Sequence, residues 1–184
     1  MKRKAFLLSV VLLSTVTALA VFTDGYRRIK QTLTGFEEIP TLSTPANGEF
    51  RAKIGHSQIE WTLTYSDTDT AVQQAHIHLG PKGVNGPITV FLCTNLGNGP
   101  EGSQPCPAAP ATVSGTIQAA DVSPNIGATA GARAQGLDTG DYDEFLDALR
   151  AGVLYVNVHT VARGGGEIRS QIDGHNGKHG GEDK

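Results

Sequence analysis

Alternation of apolar and polar residues is the clearest signal along this chain. Over residues 58–65, Ile59, Trp61, Leu63 and Tyr65 alternate with Glu60, Thr62 and Thr64. That period of two predicts a strand with one buried face. Residues 72–79 repeat the pattern, with Ala75, Ile77 and Leu79 on one face and His76 and His78 on the other. Residues 153–160 place Leu154, Val156 and Val158 opposite Tyr155, Asn157 and His159. Shorter strands are expected at 31–34, 50–54, 88–93, 112–117 and 167–172, with turn chemistry at Pro81-Lys82-Gly83, Asn85-Gly86-Pro87 and Gly164-Gly165-Gly166. The period changes once. Tyr142, Phe145, Leu146 and Leu149 recur at i, i+3, i+4 and i+7, which predicts a helix over 141–151, with acids at its start and Gly152 as its stop. Residues 119–140 show no clear period. Many short strands with turns between them argue an all-β, antiparallel Greek-key β-sandwich with one short helix.

The ends of the chain read differently. Residues 1–20 begin Met-Lys-Arg-Lys, continue as an apolar run and finish Ala18-Leu19-Ala20. This is the layout of a secretory signal peptide with a small-residue cleavage site. The alternative is a retained membrane anchor, although the run is short for a bilayer span and holds Ser14, Thr15 and Thr17. Residues 21–30 read as a leader, 31–173 as the folded domain, and 174–184, which lack any apolar residue, as a solvated tail. After cleavage the chain has no stable membrane span and is expected to be secreted or otherwise extracytoplasmic.

Composition narrows the functional classes. The 184 residues include 15 Lys and Arg, 18 Asp and Glu, and 18% charged residues overall. The formal charge of −3 gives no electrostatic case for nucleic acid. Loss of residues 1–20 removes three basic groups and leaves a more acidic exported chain. No Gly-x-Ser-x-Gly elbow and no phosphate-loop glycine pattern occurs, which disfavours hydrolytic triads and nucleotide chemistry. The two cysteines, Cys93 and Cys106, flank a loop with three Gly and two Pro. Export favours a disulfide between them, against free thiols or a pair of soft metal ligands.

The histidines carry the candidate chemistry. Residues i and i+2 of a strand face the same way, about 6.6 Å apart, and can aim two imidazoles at one ion. His76 and His78 have this spacing, and His159 sits on the polar face of another strand. Matching apolar faces pairs Val158 with Ile168 and Leu154 with Ile172, since a slip of one residue would invert one strand. That register sets Glu167 opposite His159 and Arg169 opposite Asn157. Glu167 is then expected to orient His159 as a hydrogen-bond acceptor or to supply a fourth ligand, and Arg169 to draw an anion. The plainer reading is exposed strand histidines with a cross-strand Glu–His pair. His56 is expected in a turn, and Trp61 and Tyr65 in the core.

Four segments resemble the CHRD domain, first described in chordin. They are Leu33-Thr34-Gly35-Phe36-Glu37-Glu38-Ile39-Pro40; Ala75-His76-Ile77-His78-Leu79-Gly80 with Gly86-Pro87-Ile88; residues 145–152; and Leu154-Tyr155-Val156-Asn157-Val158-His159-Thr160 with Gly166-Glu167-Ile168-Arg169-Ser170-Gln171-Ile172. The resemblance spans about residues 31–173 and implies an immunoglobulin-like or superoxide-dismutase-like β-sandwich. The family's His-x-His pair, Val-His-Thr strand and Gly-Glu-Ile-Arg return fall here on His76, His78, His159, Glu167 and Arg169. A weaker likeness is to copper/zinc superoxide dismutase, which also sets a His-x-His strand pair and a further strand His outside a β-sandwich, near an Arg and a disulfide-tied loop. Three functions are therefore expected to compete. One is a secreted protein binding one transition-metal ion, copper before zinc. The second is a copper enzyme acting on superoxide, with Arg169 steering the anion. The third is a non-catalytic module binding an extracellular protein.

Overall fold

A computed structural model describes residues 27–173; the expected signal peptide at 1–20, most of the leader and the tail from 174 lie outside the described residues. The described residues form eight strands: β1 (Arg27–Thr34), β2 (Asn47–Ile54), β3 (Ile59–Ser66), β4 (Val72–Leu79), β5 (Ile88–Thr94), β6 (Ala111–Ile117), β7 (Leu154–Thr160) and β8 (Ile168–Gln171). They run antiparallel in the order β5-β4-β7-β8-β1-β2-β3-β6. This order interleaves early and late strands, as Greek-key connections require. Between β8 and β1 the ladder narrows to the single pair Arg169–Thr34. The sheet is thus two four-stranded leaves joined along a thin seam. At the opposite edges, the Gln104 side-chain amide donates to Leu92 O on β5 and Ser114 O on β6. The Cys93–Cys106 disulfide is formed and ties the adjoining loop to β5.

The all-β sandwich-like fold agrees with the apolar pattern. Alternation in β3 is realised, with Ile59, Trp61, Leu63 and Tyr65 all buried. They meet Leu33 and Phe50 of their own leaf and Ile77, Val90, Val156, Val158 and Ile168 of the other in one core. Full burial of each such large side chain contributes about 1.5–3 kcal/mol. The final hairpin has the expected register: Val158 pairs with Ile168, Asn157 with Arg169, and Ile172 N–H donates to Leu154 O.

Two differences have local causes. β1 starts at Arg27, inside the expected leader, because Ile29 is buried although it stands alone among Arg27, Arg28 and Lys30. Backbone pairing with β2, rather than apolar periodicity, holds this end in the sheet. Among the described residues there are also two α-helices rather than one. A five-residue helix, α1 (Ala130–Ala134), lies in the stretch without a clear period and buries only Ala132. The expected helix is α2 (Tyr142–Arg150), capped where Asp141 accepts from Glu144 N–H at 3.1 Å and stopped before Gly152 at φ +70°.

Candidate metal centre

The outer faces of β4 and β7 build the site. Their register sets His76 beside Asn157, His78 beside Tyr155 and Gln74 beside His159. The strand pleat turns His76, His78 and His159 away from the core and towards one another. Ring centroids lie 5.0 Å apart for His76 and His159, 5.4 Å for His76 and His78, and 5.8 Å for His78 and His159. One nitrogen from each ring lies within 4.8 Å of the others.

This outer face is not a solvent face. His76 is fully buried, and His78 and His159 are each 7% exposed. The plainer reading of exposed strand histidines is corrected accordingly: connecting loops form a second layer over β4, β7 and β8. His78 Nδ1 meets Gly86 O at 3.0 Å, and His159 Nδ1 meets Gly164 O at 3.0 Å. A carbonyl only accepts, so both rings carry their proton on Nδ1 and present a bare Nε2 inward. His76 Nδ1 lies 3.2 Å from His159 Nε2 and donates to it. Phe91 of β5 packs edge-on against His76, with centroids 4.5 Å apart.

The donor set fits a metal ion. His76 Nε2 and His78 Nε2 are buried without a hydrogen-bond partner, and an unmet buried polar atom costs about 1–3 kcal/mol. An ion about 2.0–2.1 Å from each nitrogen stands about 3.2 Å from each ring centroid, so three imidazoles around it have centroids roughly 5.2–5.6 Å apart. The observed spacings bracket that range. Protonation states also suit ligation. Burial, with the neighbouring rings adding to it, holds His76 down at about 2 and His78 at about 3, and burial lowers His159 too. All three are neutral imidazoles at physiological pH, the form that binds metals.

Two expected site residues do something else. Glu167 neither orients His159 nor faces the cluster. Its oxygens accept from Thr44 Oγ1 at 2.9 Å, Asp69 N–H at 2.8 Å and Thr160 Oγ1 at 2.7 Å. The turn carbonyl of Gly164 has taken the place expected for it. Arg169 is 2% exposed rather than an open anion guide. It donates to Asn85 Oδ1 at 3.0 Å and Val84 O at 2.9 Å, while its guanidinium carbon lies 3.4 Å from the Tyr155 ring centroid. Tyr155 in turn stacks on His78 at 4.7 Å, 4° from parallel. The guanidinium, phenol and imidazole form one column beside the cluster. Tyr155 OH also bonds Gly86, which holds the covering loop on that column.

Sequence reasoning missed Glu38. It is buried, accepts from Asn157 Nδ2 at 2.6 Å, and is raised to about 7 by burial against the opposing pull of Arg169 and Asn157. Tyr155 and Asn157 were visible in outline, because they share the polar face of β7 with His159. Glu38 carried no periodic signal, since it lies beyond a 3-10 turn at Gly35–Glu37. Gly166 completes the arrangement. At φ +127°, a Cβ there would come within 2.2 Å of Asn157 Nδ2 and 2.5 Å of Glu38 Oε1. His56 is exposed in a bend away from these contacts, and Trp61 and Tyr65 are core residues.

Comparison with curated proteins and with solved structures returns no match. The family model for the CHRD domain matches residues 29–172, from the buried Ile29 of β1 to the buried Ile172 that closes the final hairpin. The match includes both strands that carry the three histidines, and the chain belongs to the CHRD domain family.

Proposed function

We propose that this protein works outside the cytoplasm and binds one transition-metal ion, copper in preference to zinc, through His76, His78 and His159. The observation that carries the reading is the convergence of three neutral imidazoles within 4.8 Å, two of them with a buried, unpartnered Nε2. Copper is favoured over zinc for two reasons. Imidazole affinity for divalent ions peaks at copper. Structural zinc almost always takes four protein ligands, and the side chain expected as a fourth, Glu167, is bound to Thr44, Asp69 and Thr160. The disulfide and the CHRD family both support an extracytoplasmic location, with residues 1–20 as the export signal. Among the described residues, no helix is long and apolar enough to cross a membrane.

Turnover of superoxide on this centre has less support. It needs a coordination position that an anion can reach and a guanidinium free to meet that anion. Arg169 is engaged on the covering loop, and the rings are closed beneath it. Metal binding without turnover fits these contacts better.

The test is metal stoichiometry. Protein equilibrated with Cu(II), Cu(I) or Zn(II), then desalted, is analysed for metal beside His76→Ala and His159→Ala. One equivalent of copper in the wild type, falling to near zero in both variants, supports the reading. Wild-type protein that retains no metal, or variants that retain a full equivalent, would overturn it and favour a module that binds an extracellular protein.

A further inference from the structure

We propose that the three-histidine centre selects its ion by charge, holding Cu(I) more tightly than Cu(II) or Zn(II), and that buried Arg169 is the positioning residue that sets this preference. The inference rests on the metal-binding reading above and adds the oxidation state to it.

All three ligands are neutral, so nothing in the first coordination shell cancels the charge of an ion. The two nearby buried carboxylates are directed elsewhere. Glu167 is saturated by Thr44, Asp69 and Thr160, and Glu38 bonds Asn157. Phe91 and Tyr155 wall the cluster with aromatic rings, and the histidines are 0–7% exposed. The cost of burying an ion in such a medium rises with the square of its charge, so a divalent ion meets about four times the penalty of a monovalent one.

Arg169 adds to that penalty. Its guanidinium carbon lies 3.4 Å from the Tyr155 ring centroid, and that ring stacks on His78 at 4.7 Å. Two hydrogen bonds to the loop at Val84 and Asn85 keep the guanidinium from turning away. Asn85 Nδ2 is tied in turn to Ile39 O at 3.2 Å, next to Glu38. A fixed cation beside the centre disfavours each added unit of positive charge on the bound ion.

The test measures affinity ratios on the full chain. Cu(I) is competed anaerobically against bicinchoninate at pH 8, and Cu(II) and Zn(II) against chelators of known affinity. The wild type is expected to bind Cu(I) at least a hundredfold more tightly than either divalent ion. Arg169→Met is expected to shift the ratio at least tenfold towards Cu(II), whereas mere loosening of the loop would weaken all three ions alike. Glu38→Gln removes the carboxylate that opposes Arg169 and is expected to shift the ratio further towards Cu(I). It decides the matter if Arg169→Met fails to fold by near-UV circular dichroism. Equal wild-type affinity for Cu(I) and Cu(II), or a ratio unmoved in both variants, overturns charge selection while leaving metal binding intact. Absence of binding in every state overturns the underlying reading, and this inference with it.

Discussion

Replacing Glu38 by glutamine separates two opposed proton linkages that share one buried layer. His76 and His78 are held at about 2 and 3 in the fold, against an ordinary value of 6.5. The unfolded chain therefore binds their protons first, and stability falls as pH drops below about 6.5. Between pH 7.5 and 5.0 this costs about 2 kcal/mol per ring, or about 4 kcal/mol for the pair. Glu38 works in the other direction. Its folded value of about 7 exceeds the ordinary 4.5, so the folded chain binds that proton first and gains stability as pH falls towards 4.5. Over the same range the gain is about 2 kcal/mol, offsetting roughly half the histidine loss. His159, lowered by burial, adds to the loss in both proteins. Glu38→Gln deletes only the offset. Urea unfolding of chelator-treated protein at pH 7.5 and 5.0 is expected to show a loss about 2 kcal/mol larger in the variant than in the wild type. Equal losses in the two proteins would refute the placement of a protonatable Glu38 buried against Asn157.

Two further perturbations probe the layer and its frame. Gly166→Ala forces a Cβ to within 2.2 Å of Asn157 Nδ2 at φ +127°, and thermal unfolding is expected to show a loss of about 2 kcal/mol or more; a wild-type midpoint would contradict the close packing of this turn on Glu38. The double variant Cys93→Ser, Cys106→Ser opens a loop with a sequence separation of 13 and is expected to lose about 3 kcal/mol in denaturant titration, with metal stoichiometry unchanged because the bridge is not part of the histidine cluster.

The sequence makes the inner face of this fold readable and the outer layer much less so. Alternation in β3, in β7 and from Ala75 to Leu79 of β4 gives strand positions and orientation, because one side must meet the core. The same parity brings His76, His78 and His159 to one face, and matching apolar faces sets the final register. Parity says nothing about what covers that face. All seven residues of β7 are buried, since loops with no period of their own fold over its polar side. Gly164 O in place of Glu167 at His159, and Val84 O in place of solvent at Arg169, are loop contacts of this kind. The glycine turns are visible in the sequence, but which backbone carbonyl each aims at a side chain leaves no mark in side-chain patterning. Glu38 was obscured for the same reason, as a charged residue in a turn reads as solvated until tertiary contacts bury it.

X-ray absorption spectroscopy on copper-loaded protein tests the three-imidazole centre most directly. About three nitrogen scatterers near 2.0 Å with the outer-shell pattern of imidazole are expected, reduced to two in His159→Ala if that variant still holds metal. An oxygen-rich shell without imidazole features, or a wild-type spectrum unchanged by loss of His159, would contradict it.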